Sequence, residues 1–373
     1  MSFSHTPMSS MHHARHIATT IQEFIAACDE SMAHQAEHLS GAGATFLLEK
    51  ELAEYTEKKF AIAFPNATTA LTTLCLAMDI RRSEVITTPI TWGGAVASIF
   101  MNGNNLRFSL VEPTSLHLDP DHLNQTITSK TRAVLSTDLN GSPADSSSIK
   151  NFCTEHGLKY ISDSAQSLGS FRDGKPAGWF ADAVVLSFSP GKSVFGGEGG
   201  AVVTDDSDLY ERLVWFSQHP DRQKSVFGLS NYNEYAPING RINPLSSILL
   251  HMNFQSSVDR LRKHQELCHK VLARLVECGF VESDCRITAV DRSTYFNFSV
   301  QLQESTCVAE VNTFFRKECI PFQSKPHNIK LIPLDPQFRK QFKGKYSCSS
   351  QLRKQSITDM LKNRVYLEYL PKG

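Results

Sequence analysis

The sequence predicts an α/β protein with a mostly parallel central sheet, followed by a smaller C-terminal α+β domain. Two observations carry this prediction. Between residues 60 and 204, short apolar segments typical of buried strands alternate with helical segments, and such β-α-β units build parallel sheets covered by helices on both faces. After about Leu249 the alternation stops, and one long helical segment precedes a strand, a helix and a final strand.

The start of the chain divides into a tail and a helical segment. Residues 1–18 have no apolar core, which indicates a disordered tail rather than a secretory signal or a metal site built from its histidines. From about His16 to Lys59 the pattern is helical, and "TFLLEKELAEYTEKKF" has apolar residues at helical spacing with charges on the other face. We predict a large domain over residues 19–250 and a small domain over residues 251–373.

The strands and helices of the large domain follow one another in a regular order. Five apolar segments are predicted as strands: "FAIAF", "SEVITTP", "RFSLVE", "TRAVLSTD" and "KYISDSA". Helices are predicted between them in "PNATTALTTLCLAMDI", "TWGGAVASIFMNG", "DPDHLNQTI" with Asp119 as its cap, and "DSSSIKNFCTEHG", which Gly157 closes. Two further strands, "DAVVLSFS" and "GAVVTD", flank a glycine-rich segment.

The last third of the chain predicts fewer elements. The segment "HMNFQSSVDRLRKHQELCHKVLARLVECG" is predicted as one long helix, "STYFNFSVQL" as a strand and "VAEVNTFFRKECI" as a helix. The segment "RVYLEYLPKG" is predicted to contain the closing strand. No obvious linker separates the two domains, so we expect them to pack closely together.

Composition and charge exclude several classes of function. The 373 residues include 38 Lys+Arg and 38 Asp+Glu, so no net field favours binding to nucleic acid or to a membrane surface. No apolar run approaches the roughly 18 residues that a membrane helix needs. The nine cysteines form no C-x-x-C pair and show no zinc-site spacing, which is typical of reduced thiols in a cytoplasmic protein without a metal site.

Ligands bind an open parallel sheet beyond the carboxyl ends of its strands, so the residues that follow each strand are the candidate site residues. The segment "SFSPGKSVFGGEGG" at residues 187–200 is the most unusual of these, because it places a single lysine, Lys192, in a glycine-rich link between two buried strands. The other segments at strand ends are residues 66–69, 91–93, 138–141 and 163–166.

Three common motifs do not explain these residues. "PGKS" does not fit a phosphate-binding loop, because Leu186 stands where that motif needs its first glycine and Lys192 follows the strand too closely. No G-x-G-x-x-G follows the first strand, and no G-x-S-x-G occurs in the chain. A dinucleotide-binding fold and a serine hydrolase are therefore unsupported.

The residue types at the strand ends match the needs of pyridoxal 5'-phosphate (PLP). Its aldehyde needs a lysine for a Schiff base, its ring nitrogen a carboxylate, its ring face a flat apolar neighbour, and its phosphate a helix N-terminus with hydroxyl donors. Lys192, Asp163, Trp92, Thr68 and Thr69 supply these types. Each residue alone also has a structural interpretation, as a solvated lysine, a strand-end cap, a core aromatic or a helix cap. Their joint order and spacing favours the cofactor site.

The chain resembles the DegT/DnrJ/EryC1/StrS family of PLP-dependent aminotransferases. The likeness runs from "LSGAGATFLLEKELAEYTEKKFAIAFPNATTAL" to about Asp259 and includes "SLHLDPDHLNQTITSKTRAVL", "DLNGSPAD", "GLKYISDSAQSLGS" and "SFSPGKSVFGGEGGAVVTDD" in order. The resemblance implies the aspartate-aminotransferase type of fold, fold type I of the PLP-dependent transferases. It also implies transfer of an amino group between an amino acid and a keto substrate.

The resemblance assigns the catalytic and ring-binding roles residue by residue. Lys192 would form the Schiff base and, once released, move the proton of transamination as a free amine. Asp163 would pair with the pyridine nitrogen. Gln166 in "DSAQ" would hydrogen-bond the 3' oxygen of the ring, and Trp92 in "PITW" would lie on the ring face.

The remaining implied roles concern the phosphate and the neighbouring subunit. Ala67, Thr68 and Ser187 would hold the phosphate. Asn239 in "INGRINPLSS" resembles the asparagine that reaches the cofactor of the other subunit. This last assignment implies a homodimer with shared active sites, and the other partners implied are a small keto substrate and an amino-acid donor.

Three departures from the family pattern bear on function. The phosphate loop reads "NAT" where the family usually has Ser-Gly-Thr, although Ala67 keeps its backbone N–H. The family's "HLYG" is "DLNG" here, which puts Asp138 and Asn140 near the cofactor end of a strand, where they would alter the choice of substrate. The chain also ends soon after "YLP", where family members usually continue into a helix.

Four functions are compatible with this pattern. The first is an aminotransferase that moves an amino group, from glutamate or glutamine, onto a nucleotide-linked keto sugar in amino-sugar or glycan biosynthesis. The second is an aminotransferase that acts on another ketone, such as a cyclitol. A sugar dehydratase is disfavoured because members that dehydrate carry histidine at the position of Lys192. A non-catalytic regulatory protein is disfavoured because the lysine, aspartate, glutamine and aromatic residue are all retained.

Overall fold

The computed structural model describes residues 19, 22, 40–227, 238–281, 290–327, 329, 331–348 and 363–370. The tail predicted at residues 1–18 lies outside them, as does half of the helical segment predicted from about His16 to Lys59. Within the described part, helix α1 spans Ala44–Tyr55 and does not continue from the preceding residues. Gly41 and Gly43 precede it with φ values of 74° and 64°, a left-handed conformation that a right-handed helix does not contain.

The chain from residue 60 to residue 227 alternates between strands and helices, as the sequence predicts. The strands are β1 (Phe60–Phe64), β2 (Glu84–Thr87), β3 (Asn105–Phe108), β4 (Thr131–Thr137), β5 (Lys159–Asp163), β6 (Phe171–Arg172), β7 (Lys175–Pro176), β8 (Ala183–Ser187) and β9 (Gly200–Thr204). The helices are α2 (Ala67–Ala77), α3 (Gly93–Met101), α4 (Leu123–Thr126), α5 (Ser146–Glu155), α6 (Ser207–Ser217) and α7 (Pro220–Phe227). Asp119 caps a short 3₁₀ turn, Pro120–His122, that leads into α4.

The elements after residue 238 are fewer, and the first of them is by far the longest described helix. Helix α8 runs over Pro244–Glu277 and is the long helix that the sequence predicts. The strands and helices that follow are β10 (Val290–Arg292), β11 (Phe298–Gln301), α9 (Val308–Lys317), β12 (Phe322–Pro326), α10 (Pro336–Gln341), β13 (Tyr346–Cys348) and β14 (Arg364–Tyr369).

The central sheet contains eight strands in the order β1-β9-β8-β5-β4-β2-β3-β13. Strands β8, β5, β4, β2, β3 and β13 pair in parallel, whereas β9 is antiparallel to both of its neighbours, β1 and β8. Every strand of this sheet except β9 therefore points the same way, and their carboxyl ends share one edge. The predicted mostly parallel sheet is confirmed.

Alternate residues of the buried strands face two separate cores, because successive side chains of a strand point to opposite faces. On one face, Ile62, Val85 and Leu135 pack with helices α2, α3 and α6. On the other face, Ala63, Val134 and Tyr160 pack with α1, α5 and the first half of α8. Helices cover both faces, which explains why the strands read as nearly continuous apolar runs.

Helix α8 connects this sheet to a second, smaller one. Its residues Leu250, Phe254 and Val258 belong to the core on one face of the large sheet, whereas Cys268, Val271 and Leu275 belong to a third core. That core lies against an antiparallel sheet of order β11-β14-β12 and helix α9. One helix thus supplies apolar residues to both sheets, which agrees with the expected close packing.

One C-terminal segment joins the large sheet instead of the small one. Strand β13 pairs in parallel with β3, so the edge strand of the large sheet comes from residues that the sequence assigns to the small domain. Phe338 of α10 packs against Phe100 of α3 and Phe108 of β3. The division at residue 250 stays a prediction, and residues 331–348 are the part of the chain that fits it least.

Candidate functional site

The site lies at the edge of the sheet where the parallel strands end. Asp163 is the last residue of β5 and pairs with Thr137 of β4 and Val185 of β8, while Ser187 ends β8. Strand β9 runs the other way and begins at this edge with Gly200. The sheet register therefore brings the predicted strand-end residues to one edge, as the topology requires.

Lys192 lies in the glycine-rich segment between β8 and β9, where the structure has neither helix nor strand. Its Nζ lies 4.1 Å from the centroid of the Phe296 ring. Burial lowers the pKa of Lys192 to about 8, and the carboxylate of Asp163 opposes this shift. The charges of Lys192 and Asp163, the two residues with predicted catalytic roles, therefore interact. A lysine with a pKa of about 8 has an appreciable neutral fraction near pH 7.5.

Asp163 is held rigidly at the end of its strand. Its side chain is buried, and Oδ1 accepts a hydrogen bond from the backbone N–H of Ala165 at 3.1 Å. Burial raises the pKa of Asp163, while the Ala165 N–H and the charge of Lys192 act in the opposite direction. A buried carboxylate facing one buried amine is the type of environment in which ionisable groups acquire catalytic roles.

The side-chain amide of Gln166 has a defined orientation. Its Oε1 accepts a hydrogen bond from the backbone N–H of Asn140 at 2.7 Å. Because that N–H donates only, the amide oxygen faces Asn140, and the Nε2 group is left as a donor on the other side. Gln166 therefore presents an N–H donor, which suits an oxygen acceptor such as the 3' oxygen of the predicted cofactor.

The predicted phosphate residues lie at the N-terminus of α2. Asn66 caps this helix by accepting a hydrogen bond from the backbone N–H of Thr69 at 2.8 Å. A side-chain atom added at Gly200 would lie 2.5 Å from the backbone nitrogen of Ala67, and Gly200 pairs with Ser187 across β8 and β9. The helix N-terminus and Ser187 are thus neighbours, and the first-turn N–H groups of a helix attract anions.

Trp92 stands at the N-cap of α3, beside the same helix N-terminus. A side-chain atom added at Gly94 would meet Thr68 Oγ1 at 2.7 Å and Trp92 Cδ1 at 2.9 Å, so these two side chains converge on Gly94. The Trp92 side chain is 71% exposed, which leaves its ring open to solvent on the outer side. Its position on the ring face of a cofactor stays a prediction.

Asn239 lies at the surface, where its Oδ1 accepts a hydrogen bond from Arg241 Nε at 3.1 Å. Unlike Gln166 and Ser187, Asn239 is not brought beside Lys192 and Asp163 by the edge of the sheet. A residue that reaches the cofactor of another subunit needs to be exposed in a single chain, so its predicted role stays open.

Asp138 does not have the substrate-facing position expected from "DLNG". Its side chain is fully buried, Oδ1 accepts the backbone N–H of Ala144 at 2.7 Å, and Oδ2 accepts the hydroxyls of Ser162, at 3.0 Å, and Ser164. Burial raises the pKa of Asp138 to about 6, and these hydrogen bonds oppose the shift. Asp138 therefore acts as a structural residue beneath the site. Asn140, two residues later, does contact the site through its bond to Gln166.

A loop from the C-terminal part of the chain also reaches the site. The sequence predicts one strand over "STYFNFSVQL", but β11 begins only at Phe298, and residues 293–297 form a loop in which Tyr295 has a φ of 52°. Phe296 contacts Lys192, and Asn297 Nδ2 donates to Asn140 Oδ1 at 3.1 Å. Apolar and β-branched residues favour a strand locally, so no signal in the sequence distinguishes this loop.

The described residues give two further negative findings. No described helix is both long enough and apolar enough to cross a membrane. Within the same residues, no group of three or more His, Cys, Asp and Glu side chains is arranged to hold a metal ion. The sequence predicts that a segment over residues 218–235 helps to shape the substrate pocket, and residues 228–235 of this segment lie outside the described part of the chain.

Comparison with known proteins gives matches of three kinds: a family profile, curated relatives and solved structures. The profile of the DegT/DnrJ/EryC1/StrS aminotransferase family matches residues 19–361. UDP-4-amino-4,6-dideoxy-N-acetyl-beta-L-altrosamine transaminase of Helicobacter pylori is 33% identical over 195 residues, which cover 52% of this chain and 52% of that protein. dTDP-3-amino-3,6-dideoxy-alpha-D-galactopyranose transaminase of Aneurinibacillus thermoaerophilus is 31% identical over 223 residues, which cover 59% of each chain.

The chain thus spans about half the length of the curated relatives it matches. Among solved structures, NtdA of Bacillus subtilis with its cofactor PMP bound superposes with a TM-score of 0.71 at 20% identity, over 99% of this chain and 81% of that one. This likeness is one of fold, and it confirms the predicted fold type I architecture with its large, mostly parallel sheet.

Proposed function

The chain belongs to the DegT/DnrJ/EryC1/StrS aminotransferase family, and on this premise we propose that it is a PLP-dependent aminotransferase acting on a nucleotide-linked keto sugar. One observation carries the proposal. The charges of Lys192 and Asp163 interact at the edge where the strands end, and the N-terminus of α2 lies at the same edge, next to Gly200 and Ser187. A lysine, an acid and an anion-binding helix end are the three groups that PLP chemistry requires together.

The residues at this edge fit the cofactor. Gly200 lets β9 pack directly against the Asn66–Ala67 peptide, because a side-chain atom there would lie 2.5 Å from the backbone nitrogen of Ala67, and this close packing fixes the helix N-terminus beside Ser187. Asp163 is suited to hold a proton on the ring nitrogen, Gln166 to donate to the 3' oxygen, and Thr68 and Ser187 to bind the phosphate. When bound, PLP supplies an aldehyde for covalent attachment and a ring that accepts electrons from the substrate carbon.

The residues of the chain itself then account for the proton chemistry. The pKa of Lys192, about 8, makes its free amine a usable base at neutral pH. The Asp163 carboxylate stabilises positive charge next to it, and the buried surroundings strengthen that interaction by excluding water. Lys192 moves the proton at the reacting carbon, while Asp163 and Gln166 remain fixed by their backbone hydrogen bonds.

The names of the relatives support a sugar substrate. The two curated relatives are named as transaminases of UDP- and dTDP-linked amino sugars. We infer that this chain aminates a keto sugar attached to a nucleotide, with glutamate or glutamine as the donor, in amino-sugar or glycan biosynthesis. A homodimer with shared active sites in the cytoplasm belongs to the same proposal, and the exposed Trp92 and Asn239 support it.

A second candidate is an aminotransferase for a ketone that carries no nucleotide, such as a cyclitol. The amide pair of Asn140 and Asn297 favours it, because the loop 293–297 brings Asn297 against Asn140, and two small polar side chains then lie together at the site. Incubation with a panel of nucleotide-linked keto sugars and free cyclitol ketones, with glutamate or glutamine as donor, separates the two candidates. Mass spectrometry reads out the aminated product.

The catalytic assignment is tested with Lys192→Ala. We expect purified wild-type protein with added PLP to form a borohydride-reducible bond that peptide mass spectrometry locates at Lys192, and the variant to lose both this bond and amine transfer. Lys175→Ala is the matched control, because Lys175 also lies over an aromatic ring. Its Nζ is 4.3 Å from the centroid of Trp179, but the residue belongs to β7 and not to the glycine-rich segment. Amine transfer that persists in Lys192→Ala would contradict the proposal.

A further inference from the structure

Residues 293–297 form a loop, here called the strap, that binds the site by several hydrogen bonds. The Thr294 backbone N–H donates to Gly141 O at 2.9 Å, and Thr294 Oγ1 donates to Gln166 O at 2.8 Å. Ser293 Oγ also donates to Gly141 O at 2.9 Å. These contacts join the C-terminal part of the chain directly to the residue expected to bind the cofactor ring.

The strap packs closely against Gly141. A side-chain atom added at Gly141 would lie 2.3 Å from Thr294 Oγ1 and 2.7 Å from the Phe296 nitrogen, and Gly141 has a φ of 89°. Glycine is the residue that permits both features. Ser293 and Thr294 are buried, whereas Phe296 is only partly so. The position of the Phe296 ring is therefore set by the buried residues before it.

The aromatic ring of Phe296 lies against the side-chain amine of Lys192. Lys192 Nζ is 4.1 Å from the ring centroid, within the roughly 6 Å over which an aromatic face attracts a cation. Among the described residues, Asp163 is the charged group that faces this amine. Two groups thus favour the ammonium form, one on the sheet and one on the strap, and burial disfavours it.

We propose that Phe296 is a positioning residue for Lys192, whose ring face holds the amine at the site whenever that amine is not bonded to a cofactor. This inference rests on the proposed function. An amine that leaves a covalent bond on each half-reaction needs a resting place from which it reaches the reacting carbon again. A polar residue there would compete for its proton, whereas an aromatic face attracts the ammonium without accepting a proton.

The test measures the amine in full-length protein from which cofactor has been removed, so that catalysis is not needed. The pH dependence of acetylation by acetic anhydride, followed at the Lys192 peptide by mass spectrometry, gives its pKa. We expect Phe296→Leu to lower that pKa by about one pH unit, a tenfold change in acid dissociation, because the ammonium loses the ring. Phe296→Tyr keeps an aromatic face and is expected to restore the wild-type value.

Phe298→Leu is the matched control, because Phe298 is buried two residues later in the core of the small sheet. It is expected to cost stability without changing the pKa of Lys192. Phe296→Met gives a second variant of similar volume, should the leucine variant not fold. An unchanged or raised pKa of Lys192 in folded Phe296→Leu or Phe296→Met would overturn the inference, as would a pKa in Phe296→Tyr that is as low as in Phe296→Leu. Absence of the borohydride-reducible bond in wild-type protein would instead contradict the proposed function and leave this measurement intact.

Discussion

Two neighbouring aspartates show how environment separates residues of the same type. Asp163 is the last residue of β5 and Asp138 follows the adjacent strand β4, and the backbone N–H of Asp138 donates to the carbonyl of Asp163 at 3.0 Å. Asp138 is bound by Ala144, Ser162 and Ser164, whereas Asp163 faces Lys192. Asp138 therefore fixes the backbone, and Asp163 is left to interact with a ligand.

The buried charge of Asp138 predicts a pH-dependent stability. Its pKa is about 6 in the folded protein and 3.8 in the unfolded chain, so the unfolded state loses its proton first as the pH rises. Stability from this group is thus highest below pH 4 and falls up to about pH 6, by roughly 3 kcal/mol. In Asp138→Asn, which keeps an acceptor for Ala144 and a donor for the serines, we expect this fall to disappear.

Urea unfolding of wild type and variant between pH 4 and 7 measures the effect. The free energy of unfolding of Asp138→Asn minus that of wild type should increase as the pH rises to about 6 and then stay constant. Asp145→Asn is the control: burial raises the pKa of Asp145, but hydrogen bonds from Ser148 and Ser147 outweigh this and lower it, so its pH-dependent effect on stability lies below about pH 4 and its difference from wild type should stay constant over this range. A constant difference between wild type and Asp138→Asn across this range would disprove the assignment.

At the residue scale, the sequence predicts the positions that topology determines. Asp163, Ser187 and Gln166 follow directly from strand ends, because parallel strands bring their carboxyl ends to one edge. The direction of a side chain is decided by its hydrogen-bond partners, which are distant in sequence. The motif "DLNG" therefore predicts a substrate-facing Asp138, although its partners are Ser162 in β5 and Ser164 just after that strand.

At the scale of elements, the start of α2 is shaped by a glycine on another element. Gly200 opens β9 and lies against the Asn66–Ala67 peptide, so a methyl group there would come within 2.5 Å of a backbone nitrogen. The backbone would have to move, because backbone atoms cannot rotate away as a side chain does. The geometry of the proposed phosphate site is thus set by packing between β9 and α2.

Gly200→Ala is expected to weaken PLP binding about tenfold and to destabilise the fold by roughly 1–3 kcal/mol, because the helix N-terminus is displaced. Equilibrium dialysis gives the dissociation constant for PLP, and thermal unfolding gives the stability. Gly157→Ala is the control: Gly157 has a φ of 63° at the opposite edge of the sheet, so alanine there costs about 1 kcal/mol of strain without touching the site. Equal affinity for PLP in Gly200→Ala and wild type would refute the argument.

The elements themselves were predictable to different degrees. The strands β1 to β5, β8 and β9 follow from apolar runs with turn residues between them, because both faces of their sheet are buried. The strap and β13 were not predictable, because their conformation depends on partners far along the chain. These partners are Gly141 for the strap and β3 for β13. A short segment held by distant contacts carries no periodic pattern.

At the scale of the whole molecule, helix α8 ties the two sheets together. Its first half packs on the large sheet and its second half on the small one, so the strap is held between two packed bodies. The strap is also bound at Gly141 and Gln166. The position of Phe296 beside Lys192 therefore depends on both parts of the chain.

An exposed apolar surface beside this helix bears on assembly. Phe46 and Leu47 of α1 and Leu245 of α8 are 58%, 38% and 52% exposed, and the two helices are joined here by a hydrogen bond from Thr45 to Ser247. Apolar side chains grouped in this way mark interaction sites more often than singly scattered ones do. In the proposed homodimer, we expect this surface to face the second subunit.

The homodimer is tested by placing a charge on that surface. We expect wild type to sediment as a dimer and Phe46→Arg as a monomer, because burying an unpaired guanidinium is costly. If the active sites are shared, the monomer also binds PLP more weakly. Met101→Arg is the control, since Met101 is 71% exposed but lies at the far end of α3 from Trp92. Analytical ultracentrifugation with PLP titration measures both properties, and a wild-type monomer with full amine transfer would refute shared sites.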